Sequence, residues 1–186
     1  MIPGVGQEAE AARFSTVVLD PGHGGHDNGA KWGGVPEKRL TLDVCRRVQK
    51  LLGQRGVSAV LTRTSDSFVS LDGRAAKANR YRSAVFVSVH FNAHWNRSVK
   101  GIESFYMSGN GRVLASRIQN RLLNRIRTTN RGLKSKSYAV LRKTRCPAVL
   151  VECGFLSNAW ERQRCNSAWY RQLLAQAIAE GVVAYR

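Results

Sequence analysis

The chain has 186 residues, of which 43% are hydrophobic, and its 30 Lys and Arg against 12 Asp and Glu give a formal net charge of +18. This length suits one domain with a single core, and no segment is long and apolar enough to predict a membrane span. So positive a chain attracts polyanions, which leaves nucleic acid, an anionic cell-wall polymer or an acidic membrane surface as partners.

The first half of the chain predicts two strands and two helices after a flexible leader at residues 1–14. The leader has no basic start and no apolar core, so it is not an intact signal peptide. Residues 16–20 (TVVLD) predict a strand that ends in the glycine-rich turn PGHGG. Apolar residues at helical spacing predict a helix from 37 to about 54, followed by a strand at 57–63 and a short helix at 71–81.

The second half continues the alternation. Residues 84–90 (AVFVSVH) are apolar at nearly every position, which is typical of a central strand covered on both faces. Residues 101–107 alternate and predict a less buried strand. A helix at 112–127, strands at 138–142 and 148–154, and a closing helix at about 167–185 follow. The pattern predicts a single α/β domain, residues 15–186, with a mostly parallel central sheet of about six strands and helices on both faces.

The basic residues and the cysteines are unevenly distributed. Between positions 112 and 145 there are eleven basic residues and no acid, which indicates either a solvated basic face or a surface that docks a polyanion. The four cysteines have no C-x-x-C spacing, which argues against a zinc ribbon or a thioredoxin motif. Cys45 and Cys153 lie in apolar runs and are expected as packed thiols, whereas the sequence leaves open whether Cys146 and Cys165 pair.

The residues with chemical potential follow the ends of strands, where α/β sheets form their sites. His23 and His26 follow the first strand, His90 and His94 follow the third, and Glu152 ends the run AVLVECG. A carboxylate in such an apolar run is costly unless a cation or several donors meet it. Glu152 is therefore either a partner of one of the many basic side chains or a general base beside a metal-bound water.

A catalytic zinc ion needs three protein ligands and an open position. His23 and His90 supply two, and Glu37 is the candidate for the third, although a glutamate in the first turn of a helix is also explained by the helix dipole. His90 and His94 have the spacing of a helical ligand pair, but the run before His90 predicts a strand. We therefore expect His90 to bind the metal and His94 to lie in the loop beyond it.

Five sequence blocks resemble, in their order, the zinc-dependent N-acetylmuramoyl-L-alanine amidases of the amidase type 3 group, which are bacterial and phage cell-wall hydrolases. The blocks are VVLDPGHGGHDNGA, PEKRLTLDV, VLTRTSDSFVSLDGRAAKAN, FVSVHFNA and YAVLRKTRCPAVLVECGFLSN. The resemblance runs from about Thr16 to the C-terminus.

The resemblance implies one Zn²⁺ per chain, held by His23, Glu37 and His90, with Glu152 as the catalytic glutamate. It also places Lys134 in the family's substrate-side stretch, and we expect Asn92 and Arg63 to bind substrate as well. The implied reaction is hydrolysis of the amide bond between N-acetylmuramic acid and the L-alanine of peptidoglycan stem peptides. Water on the zinc would be the nucleophile and Glu152 the general base and acid.

The resemblance also bears on regulation, partners and location. The chain leaves no room for the long helical insert that covers the zinc in some relatives, so an uncovered site is expected. The expected partners are the stem peptide and glycan of peptidoglycan, with an anionic wall polymer as a further one and no nucleic acid. We expect a monomer that acts in the periplasm or wall after removal of a signal absent from this chain; the alternative is a phage-type cytoplasmic lysin.

Two rival functions follow from the same residues. The first is a carboxypeptidase-like zinc peptidase on a similar α/β scaffold. The second is a nucleic-acid-binding or wall-binding module without catalysis, which the net charge of +18 would favour. The set of two histidines and two glutamates argues against the second rival.

Overall fold

The computed structural model describes residues 14–186, and the leader expected at 1–14 lies, apart from its last residue, outside the described part. Within that part there are eight strands: β1 (Thr16–Pro21), β2 (Lys31–Trp32), β3 (Val35–Pro36), β4 (Ser58–Leu61), β5 (Ala84–Asn92), β6 (Ile102–Tyr106), β7 (Asn130–Ser135) and β8 (Ala148–Phe155). There are six helices: α1 (Glu37–Gly53), α2 (Leu71–Asn79), α3 (Gly109–Arg125), α4 (Ala139–Arg142), α5 (Ala159–Asn166) and α6 (Ala168–Val183).

Six of the strands form one sheet in the order β4-β1-β5-β8-β6-β7, and β2 and β3 form a small separate hairpin. Every neighbouring pair in the large sheet is parallel except β6 and β8, which are antiparallel. The mostly parallel α/β sheet expected from the sequence is thus confirmed. None of the helices described for residues 14–186 is long and apolar enough to cross a bilayer.

The two faces of the sheet carry cores of unequal size, because side chains alternate along each strand. One face holds the larger core, in which Val17, Val87 and Val151 pack with apolar residues of α1, α3 and α6. The other face holds a smaller core, in which Val18, Phe86 and Leu150 pack with residues of α2 and α4. Helices therefore cover both faces of the sheet.

The smaller-core face also carries the polar residues at the carboxyl ends of the central strands. Asp20 lies two positions after Val18 on β1, His90 four positions after Phe86 on β5, and Glu152 two positions after Leu150 on β8. With a period of two residues, each of them points to the same side as the smaller core. Sites in α/β proteins form at the carboxyl ends of the strands, and here the polar residues at that edge all lie on the face of the smaller core.

Most predicted elements are confirmed within one to three residues at their ends, but two descriptions were wrong. The strand predicted at 138–142 is instead the short helix α4, preceded by Tyr138 in extended conformation. The sixth strand of the sheet is instead β7, a polar edge strand that the pattern did not indicate. The strand at 101–107 is also more buried than expected, because β6 lies between β7 and β8 and four of its five residues are buried.

The helix α5 was missed because it is short and mostly polar. Its signal was nevertheless present, since Asn158 caps it by accepting a hydrogen bond from the Glu161 amide at 3.1 Å. Asn followed three residues later by Glu is a helix-start pattern. All four cysteines are free thiols, so Cys146 and Cys165 do not pair, and Cys45 and Cys153 are buried as expected.

Candidate active site

The loop after β1 presents His23 in a conformation that few non-glycine residues adopt. Its φ of 61° lies in the left-handed region, which costs free energy and persists only where the surroundings enforce it. The enforcing contacts come from two buried arginines. Arg74 donates to the carbonyl oxygen of His23 at 2.8 Å, and Arg63 donates to that of Gly22 at 2.9 Å. The loop is therefore held rigidly with its histidine ring turned toward the sheet edge.

Glu37 is the first residue of α1, and its carboxylate is buried with only 3% of the residue exposed. One oxygen, Oε2, accepts a hydrogen bond from the amide of Ala30 at 2.8 Å. The other, Oε1, accepts one from the amide of Phe91 at 2.9 Å. Because Phe91 follows His90 directly, this contact ties the start of α1 to the end of β5. The helix dipole alone therefore does not account for Glu37, because its carboxylate also connects these two segments.

His23, Glu37 and His90 converge at the carboxyl edge of the sheet. Glu37 Oε1 lies 3.1 Å from His23 Nε2 and 3.0 Å from His90 Nδ1. One ligand atom from each of the three residues lies within 4.8 Å of the others. Two imidazole nitrogens and one carboxylate oxygen form a donor set typical of catalytic zinc, so these residues fit that ion.

The charges in this cluster are suited to a cation. Burial opposes ionisation of Glu37, but hydrogen bonds and charge from His23 and His90 outweigh burial and lower the pKa of Glu37 to about 2. Burial likewise opposes the charged form of His23, while Glu37 and Asp27 raise its pKa above the usual value. Glu37 is therefore a carboxylate at neutral pH, as a metal ligand must be.

Asp27 orients the first histidine. Its Oδ2 lies 2.8 Å from His23 Nδ1, while its Oδ1 accepts a hydrogen bond from the Gly29 amide at 3.0 Å. A carboxylate on the far nitrogen of a ligand histidine selects its tautomer and ring orientation. Gly29 has a φ of +62°, and a side chain there would collide with the His23 ring and with Glu37 Oε2. The loop thus needs both Asp27 and Gly29 to bring the His23 ring against Glu37.

Glu152 lies opposite His90 in the pairing of β5 and β8. Its Oε2 is buried and has no hydrogen-bond partner within the described residues. Burial, followed by the nearby charges of Glu37 and Glu103, raises the pKa of Glu152 well above its usual value. Sequence reasoning allowed a salt bridge to a basic side chain, but no ion pair described for residues 14–186 includes Glu152.

A cavity of about 640 Å³ is lined by His23, Glu37, His90 and Glu152. It lies between α2 and α4, on the face of the smaller core. Besides the polar cluster, its wall is apolar and includes Phe68, Val69, Leu71, Tyr138 and Val140. A concave site with a few convergent polar groups and perturbed pKa values is the usual form of an enzyme site.

The three residues expected to contact substrate lie in different places. Asn92 lines the cavity, and its side-chain amide donates to Glu103 Oε1 at 2.8 Å. Lys134 lies on β7 outside the cavity lining and forms an ion pair with the same Glu103. Arg63 has a different place from the one expected, since it is buried and donates to four backbone carbonyl groups. Its guanidinium supports the His23 loop and is closed off from a substrate.

His26 and His94 lie outside the three-residue cluster. The ring of His26 packs against that of Phe68 at a centroid distance of 4.3 Å, with the two ring planes tilted by 32°. The Nδ1 of His94 accepts a hydrogen bond from the Asn96 amide at 3.0 Å, and its own amide donates to Ser157. His94 therefore sits in the loop after β5.

Sequence reasoning missed a buried network beneath the His23 loop. The carboxylate of Asp20 accepts hydrogen bonds from Arg74 at 2.8 Å, Thr62 at 2.6 Å and Ser88 at 2.7 Å. A signal was present, because Asp20 ends an apolar strand and needs partners when it is buried. Its partners were not readable, because they come from three separate elements. Glu103 was missed for the same reason, whereas Asp27 has its partners, His23 and Gly29, in its own loop.

Comparison with known proteins gives relatives over nearly the whole described chain. The sequence profile of the N-acetylmuramoyl-L-alanine amidase family matches residues 17–184. N-acetylmuramoyl-L-alanine amidase LytC of Bacillus subtilis is 37% identical over 174 residues, which cover 91% of this chain but 35% of LytC. The chain thus spans about a third of that relative's length.

Solved structures agree with the fold. AmiC2 of Nostoc punctiforme, an N-acetylmuramoyl-L-alanine amidase, superposes with a TM-score of 0.88 at 42% identity and covers 91% of this chain and 96% of its own. The catalytic domain of CwlV from Bacillus (Paenibacillus) polymyxa gives a TM-score of 0.89 at 32% identity, with 92% and 98% covered.

A mostly parallel sheet with a His, Glu and His cluster at its carboxyl edge defines an α/β protein with a candidate metal site of the hydrolase type. More particularly, the chain belongs to the N-acetylmuramoyl-L-alanine amidase family, because that family's profile matches 17–184 and its members share this fold.

Proposed function

We propose that this protein is a zinc-dependent amidase that hydrolyses the bond between N-acetylmuramic acid and L-alanine in peptidoglycan. The observation that carries the proposal is that one cavity is lined by His23, Glu37, His90 and Glu152, whose Oε2 has no hydrogen-bond partner among the described residues. Membership of the amidase family supports the choice of bond.

His23, Glu37 and His90 would hold the metal ion, with Asp27 fixing the orientation of the His23 ring. Zinc in such a site supplies Lewis-acid chemistry, which polarises an amide carbonyl and makes water a stronger acid. The amides of Ala30 and Phe91 hold both oxygens of Glu37 and so limit its rotation. This support keeps the ligand geometry constant while substrate enters and product leaves.

Glu152 is proposed to move the proton. Its Oε2 has no hydrogen-bond partner among the described residues, and the residue lines the shared cavity, so the carboxylate is free to accept a proton from the attacking water. It then returns that proton to the nitrogen of the leaving L-alanine. The buried setting, which favours the protonated form, stabilises Glu152 between these two transfers.

The cavity wall is suited to a substrate that is partly apolar. Phe68, Leu71 and Val140 offer surface to the lactyl and alanine methyl groups on either side of the bond, and Asn92 offers an amide to the peptide. We propose that peptidoglycan is the substrate and that the protein acts as a monomer outside the cytoplasm. LytH of Staphylococcus epidermidis, 36% identical over 174 residues, is named a probable cell wall amidase, which supports this location.

The test is a digest of purified peptidoglycan by the zinc-loaded protein, followed by mass spectrometry of the fragments. We expect free stem peptides with a new L-alanine amine and glycan strands without peptide. Glu152→Gln should reduce the rate by at least about a hundredfold, as expected for loss of a general base. Glu180→Gln, a change of the same chemistry on α6 outside the cavity, should retain the wild-type rate.

The rival functions predict different products. Shortened peptides still attached to muramic acid would identify a peptidase and contradict the amidase. Full retention of every measurable activity by Glu152→Gln, together with no zinc after gentle purification, would indicate a binding module.

A further inference from the structure

A second pocket, of about 540 Å³, lies away from the active-site cavity and shares no lining residue with it. Its wall consists of Lys100, Arg127, Thr128, Thr129, Trp160 and Arg164. Three elements supply them: the loop between β5 and β6, the segment between α3 and β7, and helix α5. We call these six residues the Trp160 pocket.

The three cations of the Trp160 pocket have no acidic partner. No ion pair within residues 14–186 involves Lys100, Arg127 or Arg164. The nearby Glu161 forms no ion pair with them among the described residues, and its single negative charge offsets only part of the three positive charges. It is 1% exposed and accepts hydrogen bonds from the amides of Gly101 and Phe155 and from the Thr128 hydroxyl. An excess of positive charge therefore remains in the pocket.

What distinguishes the pocket from the rest of the basic segment at 112–145 is that its cations share one concave site with an exposed tryptophan. Arg125 pairs with Glu180, Arg131 and Lys134 pair with Glu103, and Lys143 pairs with Asp72. Four of the eleven basic residues in that segment thus have acidic partners from other elements. Arg127 is exposed and has no such partner, and it meets two cations from outside the segment.

Two aromatic rings hold the Arg164 guanidinium of the pocket in a fixed position. The Arg164 guanidinium lies 4.3 Å from the ring centroid of Trp160 and 4.5 Å from that of Tyr170, while its Nη1 donates to the Arg127 carbonyl at 3.2 Å. A guanidinium held in this way loses little conformational freedom when an anion binds. Lys100 Nζ lies 5.7 Å from the same Trp160 ring, which remains 51% exposed.

We propose that the Trp160 pocket binds a phosphate group of a polyol-phosphate polymer, with the adjoining polyol against the indole ring. Arginine forks match phosphate oxygens, and a polymer with one negative charge per repeat meets an excess of positive charge better than an isolated carboxylate does. A single aromatic platform in a compact pocket suits one repeat unit, whereas single-stranded nucleic acid uses several stacked aromatics along a groove. The choice of a cell-wall polymer as the source rests on the proposed function.

The experiment is titration calorimetry of the full chain with poly(glycerol phosphate) at physiological ionic strength. Lys100→Gln/Arg127→Gln removes two exposed cations from the pocket. Arg112→Gln/Arg117→Gln removes two exposed cations from α3 and is the matched control, with the same net charge. We expect the pocket variant to bind about tenfold or more weakly than wild type, and the control within about twofold. Equal weakening by the two variants, or no binding by the wild type, would overturn the proposal.

Two further titrants identify the source of the phosphate. Inorganic phosphate should compete with the polymer only weakly, because it lacks the polyol and the repeated charge. An oligothymidylate with the same number of phosphates should lose equal affinity in both variants, as expected for a diffuse field. A pocket-specific loss with the oligothymidylate and not with the polymer would assign the pocket to nucleic acid and overturn the proposal.

The assay is independent of the amidase reaction. Lys100→Gln/Arg127→Gln should digest peptidoglycan that has been stripped of phosphate polymers at the wild-type rate. If the wild-type protein releases no stem peptide but binds the polymer through the pocket, the proposed function fails and the pocket assignment stands.

Discussion

The backbone of Gly22 lies directly against the ring of His90. A Cβ atom at position 22 would lie 2.3 Å from His90 Cε1 and 2.5 Å from its Nε2, closer than real Cβ contacts allow. The amide of Gly22 also donates to the Val89 carbonyl at 3.1 Å, which holds the loop at the end of β5. The glycine thus brings the His23 loop and the His90 ring close enough to share one ion.

Gly22→Ala should displace the His90 ring and abolish tight zinc binding while leaving the sheet folded. Zinc affinity measured by competition with a chelator, together with circular dichroism, checks this prediction. Gly53→Ala is the control, because a Cβ there meets nothing within 4 Å and helix α1 ends at that residue. Wild-type zinc affinity in Gly22→Ala would show that His90 is not a ligand or that the loop moves freely.

Asp27→Asn should lower zinc affinity by about ten- to a hundredfold, the usual effect of losing a carboxylate on a ligand histidine. The asparagine keeps an oxygen for the Gly29 amide but loses the second acceptor, which faces His23 Nδ1. The same chelator competition measures the change. Asp72→Asn removes an exposed carboxylate from α2 and should have no effect. An unchanged affinity in Asp27→Asn would remove Asp27 from the site.

Glu152→Gln should stabilise the metal-free protein, and by more as the pH rises. The folded-state pKa of Glu152 lies above the ordinary 4.5, so wild-type stability is fully present below pH 4.5 and declines as the pH rises toward the folded value. The glutamine does not titrate. Urea unfolding in the presence of EDTA at pH 4.5 and pH 7 measures the gap between the two proteins.

Glu180→Gln provides a control of opposite sign for that experiment. Its hydrogen bonds to Arg125 lower the folded-state pKa of Glu180 below 4.5. Wild-type stability from this pair is present above pH 4.5 and is lost as the pH falls through the folded pKa. The free energy of unfolding of Glu180→Gln should therefore be slightly lower than that of wild type at neutral pH, and the difference should disappear at acidic pH. A constant gap for Glu152→Gln across the range would contradict its raised pKa.

Arg63→Met should lower the free energy of unfolding by about 2 kcal/mol, because four backbone carbonyl groups, two of them buried, lose a charged donor. Urea unfolding measures the loss. Arg112→Met, at an exposed position of α3, should change stability by less than about 0.5 kcal/mol. Normal stability combined with a raised KM would instead restore a substrate-binding role for Arg63.

Arg63 and Asn92 show which distinction the sequence pattern could not make. Both residues lie in blocks that resemble the amidases, and the resemblance does not separate a residue that lines the site from one that supports it. Asn92 lines the cavity, whereas Arg63 lies beneath the loop with its donors on carbonyl oxygens. That distinction depends on which backbone groups the fold leaves without partners, and these groups lie far apart in the sequence.

By itself, the sequence determined the α/β class, the order of most elements and the His23, Glu37, His90 and Glu152 set. Hydrophobic periodicity is local, and residues at the ends of parallel strands must meet at one sheet edge. Only the tertiary structure decided that Glu152 is unpaired, that the Asp20 network holds the His23 loop, and that three unpaired cations surround Trp160. These features depend on side chains from separate elements, whose distances are set by packing and cannot be derived from spacing along the chain.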